Sequence, residues 1–128
     1  MKRLFLLFIF SLFLLTACTS NTQTTPANAA DLGWNGQTKE FTVRAFQYGF
    51  EPNILEVNKG DKVIITGYSS DVPHSLTLSE FNVDLKLNNP EKKTVEFIAD
   101  KTGTFTFRCR VPCGHGHSTM QGTFIVKE

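Results

Sequence analysis

The sequence predicts an all-β sandwich, and three observations support that fold class. Beyond residue 38 the chain offers about ninety residues, which is enough for one small domain with a single core. Its apolar segments are short, rich in β-branched and aromatic residues, and interrupted at close intervals by Gly, Pro, Asn and Asp. The same region shows no 3.6-residue apolar period typical of an amphipathic helix. We therefore expect a single domain over residues 39–128.

The predicted strands follow one another in the chain with turn residues between them. The pair Gly60-Asp61, for example, marks a turn just before an apolar segment. Eight segments have strand character, and in chain order they are 41–46, 54–57, 62–67, 75–78, 83–87, 94–99, 104–109 and 123–126.

The segment 103–109 indicates most clearly where its side chains point. Phe105, Phe107 and Cys109 alternate with polar residues, so the period of two places these three on one face of a strand. The side chain of Cys109 is thus expected to extend from the core-facing side of the sheet. The same alternation returns in the segment 123–126, so the loop between the two segments should join two strands and lie at one end of the sandwich.

That loop concentrates soft metal ligands. It holds two thiols, two imidazoles and a thioether, which belong to Cys109, Cys113, His115, His117 and Met120. Sulfur ligands favour copper(I), imidazole suits both copper oxidation states, and the lack of carboxylates argues against calcium, magnesium or manganese. The loop therefore predicts a copper site.

Each of these residues also has a structural interpretation. Cys109 and Cys113 have a spacing that permits a disulfide in an oxidising compartment. Met120 is compatible with ordinary packing, and His74, at the start of a predicted strand, with a structural histidine. His115 is flanked by two glycines and is expected at the loop surface, where it would not be a ligand but would protonate beside the site.

A sandwich with a Cys-His-Met loop between its last two strands, plus a histidine from an earlier strand, resembles the cupredoxins. The earlier histidine is His74. The spacing Cys-x-x-x-Cys-x-x-x-His-x-x-Met, which begins at Cys109, is similar to the copper A site of cytochrome c oxidase subunit II and of nitrous oxide reductase. The resemblance implies a cupredoxin-like Greek-key β-sandwich and a centre with two copper ions.

The resemblance also assigns a role to six residues. Two thiolates shared between two copper ions let one electron spread over both metals, so the geometry changes little on reduction. Oxidases usually carry a glutamate where this chain has Val111, so only the main-chain carbonyl carries over at that position. The resemblance makes Cys109 and Cys113 the bridging thiolates and His74 and His117 the terminal imidazoles. Met120 is then the axial thioether, and Val111 supplies the main-chain carbonyl ligand.

Electron transfer is the leading function that follows, with a donor and an acceptor such as a cytochrome c and a terminal oxidase or reductase. We expect an electron carrier rather than an enzyme in isolation. One alternative is copper storage or delivery to a respiratory copper enzyme, although five side-chain ligands on a rigid sandwich favour retention. Another is a blue copper carrier with one copper ion and Cys113 as a spectator. A redox enzyme acting on a small molecule needs an open coordination position, which the ligand set does not offer.

The first residues predict export from the cytoplasm. Two basic residues precede an apolar run over 4–15 that is too short to cross a bilayer as a stable helix. The run ends in Leu-Thr-Ala-Cys, which resembles the lipobox of bacterial lipoproteins; an ordinary signal peptide with an incidental cysteine is the alternative. We expect a signal peptide over 1–17, a lipid on Cys18, and a solvated tether over 18–38 rich in Thr, Asn, Ala and Gln.

Cysteine count and charge agree with this organisation. Of three cysteines, Cys18 would carry lipid, which leaves Cys109 and Cys113 as a pair. Without Lys2 and Arg3 the mature chain has eleven basic against twelve acidic side chains, so neither nucleic acid nor an anionic surface is indicated as a partner. We expect a stand-alone, monomeric copper A-like lipoprotein on the extracytoplasmic side of a membrane, at the periplasmic face or the outer cell surface, rather than an integral oxidase subunit.

Overall fold

The structure is a computed structural model that describes residues 34–128. The predicted signal peptide, the predicted lipid on Cys18 and most of the predicted tether lie outside the described residues, and the predicted boundary after residue 38 stays a prediction. The described chain forms nine strands, which are β1 (Thr38–Phe46), β2 (Gly49–Glu51), β3 (Ile54–Asn58), β4 (Lys62–Ser69), β5 (His74–Leu78), β6 (Val83–Leu87), β7 (Lys92–Ile98), β8 (Gly103–Arg108) and β9 (Gln121–Lys127).

The strands pair into two mixed sheets that pack face to face. One sheet has the order β2-β1-β4-β7, and the other has the order β3-β9-β8-β5-β6. Two pairings, β1 with β4 and β3 with β9, are parallel, and the remaining ones are antiparallel. The predicted all-β sandwich is therefore confirmed.

Each of the eight segments expected from the sequence corresponds to one of these strands. The ninth strand, β2, was not predicted. It has only three residues and pairs with the end of β1 in a hairpin, with Phe46 opposite Gly49. Three residues are too few to show the alternation on which the prediction of a strand depends.

The core lies between the two sheets and is built by alternation along the strands. On β8 and just after it, Phe107 and Cys109 are buried while Arg108 is exposed, which confirms the expected period of two. Within this core the ring of Phe81 packs edge to face on Phe105 and Phe124, with centroid distances of 5.1 and 5.4 Å.

The directions of the strands give the sandwich two distinct ends. The upper end, as we call it, contains residues 47–48, 70–73 and 109–120, because β1, β4 and β8 stop there and β5 begins there. The lower end contains residues 34–37 and 58–61, because β1 and β4 begin there and β3 stops there.

Helical structure is minor in the part of the chain that the structure describes. It consists of two three-residue 3-10 turns, Ser79–Phe81 and His117–Thr119. No helix among residues 34–128 has the length and apolar character needed to cross a membrane.

Candidate metal centre

Two segments distant in sequence bring the candidate ligands together at the upper end. His74 is the first residue of β5, and Cys109 directly follows β8. From Cys109 the loop runs through the 3-10 turn His117–Thr119 and returns to β9. The N–H of Cys109 donates to the carbonyl oxygen of Met120 at 3.1 Å, which closes the loop at its base. The strand pair β8 and β9 therefore fixes both ends of the ligand loop.

The sulfur and imidazole atoms form one compact cluster. Cys109 Sγ lies 3.8 Å from His74 Nδ1, and Cys113 Sγ lies 3.6 Å from His117 Nδ1. Cys113 Sγ is also 3.8 Å from the thioether sulfur of Met120. The ligand atoms of His74, Cys109 and Cys113 all lie within 4.8 Å of one another. Each thiol therefore has an imidazole of its own beside it.

The sixth predicted residue, Val111, joins this cluster through its main chain. In the thiol form, Cys109 donates to the carbonyl oxygen of Val111 at 3.3 Å. All six residues predicted for the metal thus meet in one place. His115, in contrast, is exposed on the loop, as expected for a residue that is not a ligand.

Both cysteines of the described chain are buried free thiols, so the disulfide considered from the sequence is not formed among residues 34–128. Burial of the Cys113 thiol raises its pKa from the ordinary 9.0 to about 11, and the charge of a neighbouring Cys109 thiolate adds to the rise. Two thiolates alone therefore repel each other in this pocket. A cation bound between them would remove that repulsion, since metal binding displaces thiol protons.

The cluster is buried on the side of His74 and accessible on the side of His117. The residues His74 and Met120 are each 1% exposed, whereas His117 is half-buried. A cleft of about 260 Å³ opens to solvent beside it and is lined by Arg108, Cys109, His117, Ser118, Met120 and Gln121.

Asp71 fixes the orientation of the buried imidazole. Its Oδ1 lies 2.7 Å from His74 Nε2, so Nε2 donates to the carboxylate and Nδ1 is turned toward Cys109. Asp71 also accepts the main-chain N–H groups of Gln47 and Val72, both at 2.7 Å. Desolvation opposes ionisation of Asp71, but these hydrogen bonds outweigh it and lower the pKa of the carboxyl below 3.8.

Ser75 supports the other half of the site. Its N–H donates to Cys109 Sγ at 3.4 Å, which stabilises negative charge on that sulfur. Its hydroxyl oxygen accepts the N–H of Arg110 at 2.8 Å and thereby ties the start of the ligand loop to β5.

Sequence reasoning did not single out Asp71, Ser75 or Gln47. Asp71 carried a weak signal, because an acidic residue three positions before a candidate histidine ligand is a plausible hydrogen-bond partner. Gln47 carried none: its side-chain amide donates to the carbonyl oxygen of Cys113, which is 66 residues further along the chain.

The family model for the cupredoxin-like domain matches residues 6–126 of the sequence. The chain belongs to this family. The predicted cupredoxin-like β-sandwich is thereby confirmed, and the histidine, two cysteines and methionine of a copper A-like ligand set are present in its upper end.

Two relatives of this cupredoxin-like domain are an oxidase subunit and a reductase. Cytochrome c oxidase subunit 2 of Thermus thermophilus is 34% identical over 86 residues, which cover 67% of this chain and 64% of that protein. The chain therefore spans less than two thirds of that relative's length. Nitrous-oxide reductase of Cupriavidus necator is 29% identical over 97 residues, which cover 73% of this chain and 15% of that protein.

Solved structures show the same fold. The periplasmic domain of subunit II of cytochrome oxidase from Bradyrhizobium japonicum superposes with a TM-score of 0.64 at 20% identity, covering 70% of this chain and 83% of that one. The chain is thus a cupredoxin-like domain homologous to the soluble domain of cytochrome c oxidase subunit II.

Proposed function

We propose that this cupredoxin-like domain is an electron carrier that binds two copper ions in a copper A-like centre. One observation carries the proposal: two buried thiols lie within 4.8 Å of each other, and each has a different imidazole within 4 Å. The proposed ligands are His74, Cys109, the carbonyl of Val111, Cys113, His117 and Met120.

The donor set fits copper better than other common metals. Thiolate and thioether sulfur together with imidazole are the ligands that copper prefers, and no carboxylate oxygen belongs to the cluster among the described residues. When bound, copper supplies a one-electron couple at this position. The raised pKa of Cys113 means that binding must release a proton from that thiol, so uptake should weaken as pH falls.

The residues of the chain hold the donors in place during a change of charge. His74 is fixed by Asp71, Cys109 by the N–H of Ser75, and the loop by its closing hydrogen bond to β9. Because these contacts come from a rigid sandwich, the donors need to move little between two oxidation states. His117, half-buried beside the cleft, is the most exposed of the five side-chain ligands and the proposed route for electrons to a partner.

The proposal includes the cellular setting. We infer export by the signal peptide over 1–17, a lipid on Cys18, and a tether ahead of residue 34 that holds a monomeric domain outside the cytoplasm. The last residues of the predicted tether over 18–38 belong to the domain, because Asn35 is hydrogen-bonded to Gly60 and Thr38 begins β1. Redox partners of the cytochrome c and terminal oxidase or reductase classes are proposed, because the sequence relatives include an oxidase subunit and a reductase, and the structural relative is a periplasmic domain.

Copper stoichiometry together with electron paramagnetic resonance tests the proposed centre. The chain is loaded with copper under reducing and then oxidising conditions. Two coppers per chain and hyperfine splitting by two equivalent copper nuclei are expected. One copper per chain with splitting by a single nucleus would replace this proposal by the blue copper alternative.

Copper delivery is the second candidate, because the cleft exposes one side of the site to solvent. It predicts fast transfer of copper(I) to a competing chelator. Retention of copper over hours against bathocuproine disulfonate is expected for the electron carrier, and transfer within seconds would favour delivery.

A further inference from the structure

We propose that the turn formed by Gln47 and Tyr48 between β1 and β2 is a positioning clamp for the metal centre. It acts on both ligand-bearing segments at once: on β5 through Asp71 and on the ligand loop directly. The role of the clamp toward copper rests on the proposed function. Its mechanical part, by which we mean that the turn restrains the ligand loop in the copper-free chain, depends only on contacts within the chain.

Gln47 contacts each ligand segment with a different group. Its main-chain N–H donates to Asp71 Oδ2 at 2.7 Å, and Asp71 Oδ1 holds His74 Nε2 at 2.7 Å. Its side-chain amide donates to the carbonyl oxygen of Cys113. One residue is thereby hydrogen-bonded to the residue bearing the second thiol and, through one carboxylate, to the buried imidazole.

Tyr48 covers the loop that follows Cys113. The ring lies against the backbone at Gly116, where an added Cβ would come within 2.5 Å of two of its carbon atoms. Gly114 has a φ of +128°, which favours glycine, and a Cβ there would meet the Gln47 amide at 3.1 Å. The two glycines therefore make room for the clamp, and the ring of Tyr48, a residue that is 40% exposed, limits outward movement of the loop.

The clamp spans the two sheets. Gln47 and Tyr48 connect β1 and β2 of the first sheet, whereas His74 starts a strand of the second sheet and the ligand loop joins two more of its strands. Without this turn the loop between Cys113 and His117 is held chiefly by its own short-range hydrogen bonds, such as that from the N–H of His117 to the carbonyl of Gly114 at 3.1 Å. Loss of the Gln47 amide should loosen the second thiol without unfolding the sandwich.

The mechanical part is tested on the copper-free, reduced full-length chain. All variants carry Cys18→Ser, so that only Cys109 and Cys113 react, and the probe is 5,5′-dithiobis-(2-nitrobenzoate). Gln47→Leu, which keeps side-chain bulk but removes the donor, should react about five to ten times faster, since one hydrogen bond shifts an opening equilibrium by about this factor. Tyr48→Ala should accelerate the reaction as well, and Tyr48→Phe, which keeps the ring, should react at the parental rate.

A matched control exists at the lower end. The side-chain amide of Asn35 donates to the carbonyl of Lys59 at 2.9 Å and to Asp61 at 3.0 Å, which is the same chemistry far from the metal centre. Asn35→Ala should lower stability toward urea and leave the thiol reaction rate unchanged. Circular dichroism establishes that each variant keeps its strands.

The role toward copper is tested with the same variants after loading. Gln47→Leu should release copper(I) to bathocuproine disulfonate about five to ten times faster and change the hyperfine pattern, whereas Asn35→Ala should do neither. Parental thiol and release rates in both Gln47→Leu and Tyr48→Ala would overturn the clamp. Faster thiol reaction in a chain whose parent takes up no copper would support the clamp and contradict the proposed function.

Discussion

Asp61 at the lower end and Asp71 at the upper end are both aspartates that organise a short connection of the sandwich. Asp61 accepts the N–H of Asn58 at 2.8 Å and the side-chain amide of Asn35 at 3.0 Å. Asp71 likewise accepts main-chain N–H groups, those of Gln47 and Val72, but its third partner is the imidazole of His74.

The comparison shows how the same local chemistry serves two purposes. At the lower end every identified partner of the carboxylate is a neutral amide, so its hydrogen bonds stabilise the turn at residues 58–61 and the segment before β1. At the upper end one hydrogen bond is directed to a candidate metal ligand. Substitutions at the lower end should therefore change stability, and substitutions at the upper end should change copper binding.

The strongest test of this division is Cys113→Ser. It removes one of the two sulfur atoms proposed to bridge the copper ions, so we expect complete loss of the two-copper spectrum. The sandwich should stay folded, because its core does not depend on the metal as a small zinc module does. Copper analysis, electron paramagnetic resonance and urea unfolding measure the two effects. A two-copper spectrum in this variant would contradict the proposed centre.

Asp71→Asn tests whether the aspartate at the upper end supports copper binding rather than stability alone. The substitution keeps the shape of the side chain but removes the charge that orients and polarises His74. Copper affinity should fall about 10- to 100-fold, as is typical when a hydrogen-bond partner of a ligand is changed. Competition with a chelator of known affinity measures this. Unchanged copper affinity together with a large fall in the free energy of unfolding would show that Asp71, like Asp61, only stabilises the fold.

Asp61→Ala is the corresponding test at the lower end. The N–H of Asn58 and the amide of Asn35 lose an acceptor in a fully buried position, so the free energy of unfolding should fall by about 2 kcal/mol. Urea denaturation of the copper-free chain gives this value. The copper spectrum of the folded protein should match that of the parent, and a changed spectrum would show that the two ends are coupled.

The last expected effect is a pH dependence specific to the upper end. The pKa of Cys113 is raised in the folded chain, so between about 9 and about 11 the unfolded chain releases a proton that the folded chain keeps. The unfolding free energy of the copper-free protein should therefore fall as pH rises through this interval. Cys113→Ser should remove that part of the slope, measured as the difference between the urea curves of the two proteins, and Asp61→Ala should retain it.

Much of this organisation was predictable because it is local in sequence. The alternation of Phe105 and Phe107 placed Cys109 at the core-facing end of a strand. The resemblance of the loop spacing to copper A sites predicted the ligand set. The strand β2 was missed because three residues show no period. The export signal, the lipid on Cys18 and the binuclear nature of the centre stay predictions.

The contacts that hold the ligands were not predictable, because they are distant in sequence and involve the main chain. The amide of Gln47 binds the carbonyl oxygen of Cys113, and any residue type at position 113 offers such an oxygen. Ser75 likewise acts on Cys109 through its own N–H. Such contacts leave no pattern of residue types, and only the pairing of strands brings them together.

The position of Asn35 has a practical consequence for attaching this protein to a surface. Its N–H donates to the carbonyl of Gly60 at 2.8 Å, so the chain enters the domain at the lower end. The nine residues of β1 then span about 30 Å toward the ligand loop. If the chain is attached to an electrode through residues ahead of Trp34, the candidate metal centre at the upper end would point away from the electrode and into solution. Grafting through Ser118, beside the cleft, would turn the cluster toward the conductor instead.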